Sequence, residues 1–354
     1  MNRSIDYTAL IAPVTKEEVA AFKAESKASG ATFGSGAAVA QGAALGCAAV
    51  FIILIAVVML TTFTSLSANS GPANPVSVIG AAFPILFIVI VLALLVVGMR
   101  AAFGPGRWTK WMRLSRFAAS NDLIYSAMTP DPQYPGAIFG QGRDRKALDH
   151  LRSATDRFLD MGNYQYTTGS GKNSTTHYWG FLALHLDRRL PHMVLDSTAN
   201  NGWFGTNLPS SFKKDQALAL EGDFNTHFTL YCPKEYERDA LYVFTPDLMA
   251  LLIDEAAPFD VEIIDDWMFV YSSKKFEPTS PALYQRLFRI VDTVGAKTLA
   301  QTDRYVDERI GSFAANMVAP KGQRLAKGVP VAAIVIVIVF GIIWLLPQVL
   351  GAGN

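Results

Sequence analysis

Residues 163–186, NYQYTTGSGKNSTTHYWGFLALHL, decide the fold. The runs 163–168 and 176–186 are dense in aromatic and β-branched residues and enclose a Gly-rich break, which is the signature of a β-hairpin. Side chains alternate across a strand, so Tyr178, Leu182, Leu184 and Leu186 fall on one face and His177, Trp179, Phe181 and His185 on the other. Both faces are largely apolar, which predicts a central strand buried on both sides, with helices on one of them.

Working outward, the runs HMVLDS (192–197), ALALEG (217–222), HFTLYCP (227–233), ALYVFT (240–245), VEII (261–264) and WMFVYSS (267–273) read as further strands, the last two joined by Asp265-Asp266 as a tight turn. The segments 245–256 and 280–294 read as amphipathic helices, each opened by Thr or Ser followed by Pro, where the missing N–H costs nothing. KALDHLRSATDRFL (146–159) and SRFAASNDLIYSA (115–127) also read as helical, separated by the Pro-rich loop 129–136. The predicted class is α+β with a mainly antiparallel sheet over 120–319.

Beyond that domain lie three apolar runs, 42–66, 76–99 and 329–350, none containing a charged side chain. Each is long enough to cross ~30 Å of hydrocarbon as a helix, so three transmembrane helices are predicted. Their flanks are basic on the domain side, with Arg100, Arg107, Lys110, Arg113 and Arg116 after the second run and Lys321, Arg324 and Lys327 before the third. The positive-inside bias then predicts a multi-pass cell-membrane protein with a cytoplasmic domain. Within 107–119, Trp108, Trp111, Met112 and Leu114 share one side of a helical wheel, and Lys110, Arg113 and Arg116 the other. That pattern predicts a juxtamembrane helix in the headgroup layer, with Trp108, Lys110, Trp111, Arg113 and Arg116 at the membrane surface and anionic lipid as their partner. In the amino-terminal region 1–41, Thr15 and Glu18 form a capping-box pattern that opens a polar helix through about Ala28, and a mobile Gly/Ala-rich linker follows.

Composition narrows function. The net charge of +1 gives no basic surplus, so no nucleic-acid partner is expected. Gly169-Ser170-Gly171-Lys172 invites a phosphate-loop reading, but Tyr166 stands where a glycine is required and Asn173 replaces the magnesium-binding Ser/Thr, so a hairpin turn is predicted. The chain has five histidines. His177 and His185 lie about 27 Å apart by strand rise and cannot share an ion. No metal and no cofactor are expected. Carboxylates at Glu221, Asp223, Asp254, Glu255, Asp260, Glu262, Asp265 and Asp266 could perform acid/base work in pairs, but they fall mostly at element ends, where acids are usually solvated. Cys232 reads as a small buried hydrophobe.

The segment 223–252, DFNTHFTLYCPKEYERDALYVFTPDLMALL, resembles a family of bacterial membrane-anchored proteins of unknown function. In that family two amino-terminal spans precede a domain carrying F-x-x-x-F-x-V-Y and, further on, A-x-Y-x-L-T-P-x-x-M-x-x-L. Phe224, Phe228, Tyr231, Ala240, Thr245, Pro246, Met249 and Leu252 match in type, whereas Phe244 and the third apolar run depart from the pattern. The resemblance implies no chemistry.

The resulting expectation is a noncatalytic, membrane-anchored interaction or sensory module with a protein partner or a homo-oligomeric state. Two alternatives stand beside it. One is a membrane-bound enzyme with a site between the His177/Trp179/His185 face and the acidic turns, and the other is a subunit of a transport assembly.

Overall fold

The computed structural model describes residues 4–30, 105–155, 157–202, 206–220, 222–310 and 316–328, together with parts of 51–65 and 86–96 and residues 338 and 342. The chain divides into two compact units, Met1–Ala12 with Leu114–Asn354, and Pro13–Arg113.

The larger unit is built on an antiparallel seven-stranded sheet: β1 Leu123–Pro130, β2 Arg143–Ser153, β3 Leu159–Thr168, β4 Thr175–Ser197, β5 Ala217–Leu218, β6 Phe228–Tyr231 and β7 Asp260–Ser272. The order is β1-β2-β3-β4-β6-β5, and β7 pairs with the other edge of β4. The predicted hairpin is β3–β4, in register from Thr168↔Thr175 to Leu159↔Leu184 and closed by a turn at Gly171–Asn173. Gly169 takes a φ of +73° at that turn, which glycine adopts without a steric penalty.

The central strand is longer than its sequence suggests. Residues 176–186 and 192–197, read as separate strands, belong to one: β4 runs unbroken for 23 residues and absorbs the polar stretch between them in two register shifts against β7. Arg157 holds Asp187 with two hydrogen bonds at 2.7 and 2.8 Å, and Arg188 donates to the carbonyl of Asp303 at 2.8 Å. Asp265-Asp266 likewise forms no tight turn. Asp265 adopts φ +53° within continuous β7 and is gripped by Arg324 at 3.0 and 2.9 Å.

Three further segments differ from their expected structure. Residues 146–159, read as a helix, form most of β2 and the start of β3. A bulge at Asp149 (φ +46°) shifts the strand's alternation, so Leu148 and Leu151 stand at a spacing that imitates a helix. Residues 240–245, read as a strand, lie largely in helix Glu237–Val243, where Ala240, Val243 and the following Phe244 are buried at i, i+3 and i+4. The segment 115–127 splits, with its helix ending at Ser120 and β1 beginning at Leu123.

Each face of the sheet carries its own core. Leu151, Met161, Leu182, Leu184, Leu195, Val261, Met268 and Val270 pack on one side with Leu248, Leu252, Tyr284 and Leu287 from helices. On the other side Tyr164, Tyr166, Trp179, Phe181, Phe269 and Tyr271 pack with Ile138, Phe139, Leu208 and Leu325 from connecting segments. The amino-terminal stretch also belongs to the first core. Leu10 is buried, Tyr7 stacks on Phe117 at 5.9 Å, and Asn121 clasps the backbone of Asp6 with bonds of 2.8 and 2.9 Å.

In the smaller unit, helix Lys16–Ala28 opens with the predicted capping box. Thr15 Oγ1 accepts the N–H of Glu18 at 3.2 Å, and Glu18 Oε2 accepts that of Thr15 at 2.8 Å. The expectation of three transmembrane helices, and with it the description as an integral membrane protein, is corrected: among the described residues no helix is long enough and apolar enough to cross a membrane. Most of 42–66, 76–99 and 329–350 lies outside the described residues, and the longest helical stretches described there, 51–55 and 86–93, fall well short of the ~20 residues a span requires.

Candidate functional site

Helix Glu237–Val243 places Arg238 and Tyr242 one turn apart on its outer face, where both are exposed. The chain returns beside it after helix Ala296–Thr302, bringing Arg304, Val306 and Arg309 to the opposite wall of a cavity of about 670 Å³. Gln301 ties the two walls by donating to the carbonyl of Tyr242 at 2.7 Å, and the rings of Tyr242 and Tyr305 lie 6.1 Å apart.

The floor is a satisfied ionic network. Asp307 is buried and accepts from the Tyr236 hydroxyl at 2.7 Å and from the N–H groups of Ala319 and Arg309 at 2.9 and 3.0 Å. Burial acts to raise its carboxyl, but the N–H groups of Ala319 and Arg309, the Tyr236 hydroxyl and the Arg309 guanidinium together outweigh it and hold the group below the ordinary carboxylate value. Arg309 sits 3.9 Å over the Tyr236 ring, meets Asp239 at 3.0 Å and Asp307 at 3.2 Å, and also donates to the carbonyl of Glu235. Tyr305 donates to Asp239 at 2.7 Å. The charge of Arg309 is balanced from below, and the exposed rim carries Arg238, Arg304 and Glu308 beside Tyr242 and Val306, with Arg304 3.9 Å from Asp303. The Arg304 side chain is 90% exposed, and Val306 is 55% exposed despite being apolar. Guanidinium forks match carboxylate or phosphate geometry, and Arg and Tyr are enriched in recognition surfaces.

The residues singled out in the sequence are placed elsewhere. Trp108, Lys110, Trp111, Arg113 and Arg116 lie in helix Pro105–Ser120, with Trp111 only 6% exposed, Trp108 half-buried and Arg116 exposed. Trp108 packs edge-on to Trp111 at 5.1 Å and to Phe22 at 6.4 Å. His177 meets Thr168 Oγ1 at 2.8 Å and stacks on Tyr166, whereas His185 faces Asp266 at 3.4 Å and the edge of Trp267. The two histidines are thus engaged separately, and Asp223 is an exposed turn residue whose carbonyl accepts from the Thr226 hydroxyl. Cys232 is buried, and burial pushes its thiol up to about 12.

Two buried polar networks lie on the aromatic face, and Glu262, read with Asp260 as a solvated acid at an element end, is buried at the centre of one because β7 lies beneath the covering segments. In one, Asp160 joins His150 Nδ1 at 2.8 Å and the Tyr134 hydroxyl at 2.6 Å, while His150 Nε2 meets Thr129 Oγ1 at 2.8 Å. In the other, Glu262 accepts from the Ala137 N–H and the Tyr271 hydroxyl, both at 2.7 Å, and meets His192 Nε2 at 2.8 Å. His192 Nδ1 accepts the N–H of Leu325 at 3.1 Å, which places the ring proton on Nε2. These networks brace the segments that cover the sheet. Among the described residues, no group of three or more His, Cys, Asp or Glu is placed to hold a metal ion.

No family model matches the chain, and no curated protein matches it either. Among solved structures, the crystal structure of the mycobacterial trehalose monomycolate transport factor A, TtfA, is similar at a TM-score of 0.35 and 14% identity, over 53% of this chain and 93% of that one. A likeness of that size adds nothing to the reading of the fold or the groove.

Proposed function

We propose that this protein is a noncatalytic interaction module whose groove between Arg238 and Arg304 takes an acidic, aromatic-bearing segment of a partner protein. The observation that carries this reading is a rim on which two exposed guanidinium groups outnumber the single carboxylate of Glu308 beside solvent-facing Tyr242 and Val306, set on a floor whose own charges are already paired. A carboxylate on the partner would meet the arginines, and an aromatic ring would cover the valine and tyrosine. The cavity of about 670 Å³ is large enough for a few side chains. Rim charges of this kind act mainly on encounter and specificity, so binding weakens as salt rises.

The test uses fluorescence anisotropy with a short labelled peptide of alternating Glu and Phe, and a Lys/Phe peptide as control. The expected result is saturable binding of the acidic peptide alone, weakened roughly tenfold, or ~1.4 kcal/mol, in the variant Arg238→Glu with Arg304→Glu. Equal binding of both peptides, or an unaffected variant, overturns the reading.

A further inference from the structure

The far end of the aromatic face holds an arrangement that the groove does not use. Asp196 of β4 and Asp260 of β7 stand one step beyond the paired residues Leu195↔Val261, directly opposite each other on adjacent strands. Like charges at such positions, with Cβ atoms about 5 Å apart, destabilise a sheet. Here both are also withdrawn from water, Asp260 being 0% exposed and Asp196 4%.

Hydrogen bonds satisfy only part of the pair. Asp260 Oδ1 accepts the N–H of Ser197 at 2.9 Å and the side-chain amide of Asn200 at 3.0 Å. Asp260 Oδ2, Asp196 Oδ1 and the side-chain oxygen of neighbouring Asn201 are buried and have no hydrogen-bond partner among the described residues. Asn201 and Thr206 lie near enough to Asp196 to counter the effect of its burial. All three unpartnered atoms are acceptors. Among the described residues no positive charge meets these acceptors, and a buried acceptor without a donor costs about 1–3 kcal/mol, a buried carboxylate more.

We infer that Asp196, Asp260 and Asn201 form a site for a hard divalent cation of the Ca²⁺ type, which would bridge β4 and β7 at their shared end. The donor set is chemically apt: two carboxylates and an amide carbonyl are oxygen ligands, and Ca²⁺ accepts six to eight of them at ~2.3–2.6 Å in flexible geometry, with water completing the shell. Soft or imidazole-seeking metals find no sulfur or ring nitrogen in this set. A bound cation would turn the cross-strand repulsion into a clasp.

Tb³⁺, which occupies oxygen sites for Ca²⁺ and luminesces when excited through a nearby tyrosine, is the probe. Tyr231 pairs with Val194, two residues before Asp196, and the Asp196 charge acts on its hydroxyl, so an antenna is in place. With the full chain, the expected result is saturable tyrosine-sensitised luminescence that Ca²⁺ suppresses. It should fall at least tenfold in Asp196→Asn with Asp260→Asn, which keeps side-chain volume and relieves the charge pair, with circular dichroism establishing that the variant is folded. If the double variant fails to fold, Asp260→Asn alone is read in the same assay. No sensitised signal from the wild type, or an equal signal from a folded variant, overturns the site.

Discussion

A methyl group on Gly162 would lie 2.6 Å from Cα of His150 and would collide with its Cβ as well. The bulge at Asp149 brings β2 down onto β3 at this point, and only a residue without a side chain leaves room for it. His150 can then reach Asp160 and Thr129.

Gly162→Ala is therefore expected to destabilise the fold by about 1–3 kcal/mol, the usual cost of overpacking a close backbone approach. A domain of this size loses roughly 2–4 °C in Tm per kcal/mol. Thermal unfolding followed by circular dichroism checks this, and an unchanged Tm would show that the two strands can separate without cost.

The Asp260 carboxyl is pushed up to about 7 from its ordinary 3.8, first by burial and then by the Asp196 charge, against the pull of the Ser197 N–H and the Asn200 amide. The folded protein therefore keeps a proton that the unfolded chain releases at lower pH. Between about pH 4 and 7 the folded state binds more protons, so this group's contribution is fully present below 3.8 and is lost as pH rises through 7. In chelator, Asp260→Asn should gain on the wild type by about 1–4 kcal/mol as pH rises through this window. Urea unfolding of both proteins at several pH values measures the difference, and parallel profiles would refute the shift.

Glu262 is buried beneath three donors, from His192, Tyr271 and Ala137. Glu262→Leu removes the acceptor common to all three and should cost about 3–5 kcal/mol, whereas Tyr271→Phe removes one donor and should cost about 1–2 kcal/mol. Equilibrium denaturation ranks the two, and equal losses would mean that the Tyr271 hydrogen bond carries the whole contribution of Glu262 and that the His192 and Ala137 bonds add nothing.

Local pattern was enough where local chemistry decides structure. The Gly-rich break between two β-branched and aromatic runs fixed the β3–β4 hairpin, Thr15 with Glu18 fixed a helix start, and Ser280-Pro281 opened helix Pro281–Ile290 with a capping bond from the Leu283 N–H to the Ser280 hydroxyl. Pattern misled where a bulge interrupts the alternation. Asp149 made β2 look helical, and Asp265 made one strand look like two. Apolar length alone also argued for spanning helices, while the described backbone contains no helix long enough and apolar enough for one.

By itself, then, the sequence determined an α+β domain with a doubly covered central strand, because side-chain periodicity is written residue by residue. Only the tertiary structure decided the sites. Arg238 and Arg304 share a groove although sixty-six residues separate them in the chain, and Asp196 and Asp260 face each other only because β7 lies along β4 in one register. Proximity between distant residues comes from strand pairing and helix packing summed over the whole fold, and short-range pattern carries no record of it.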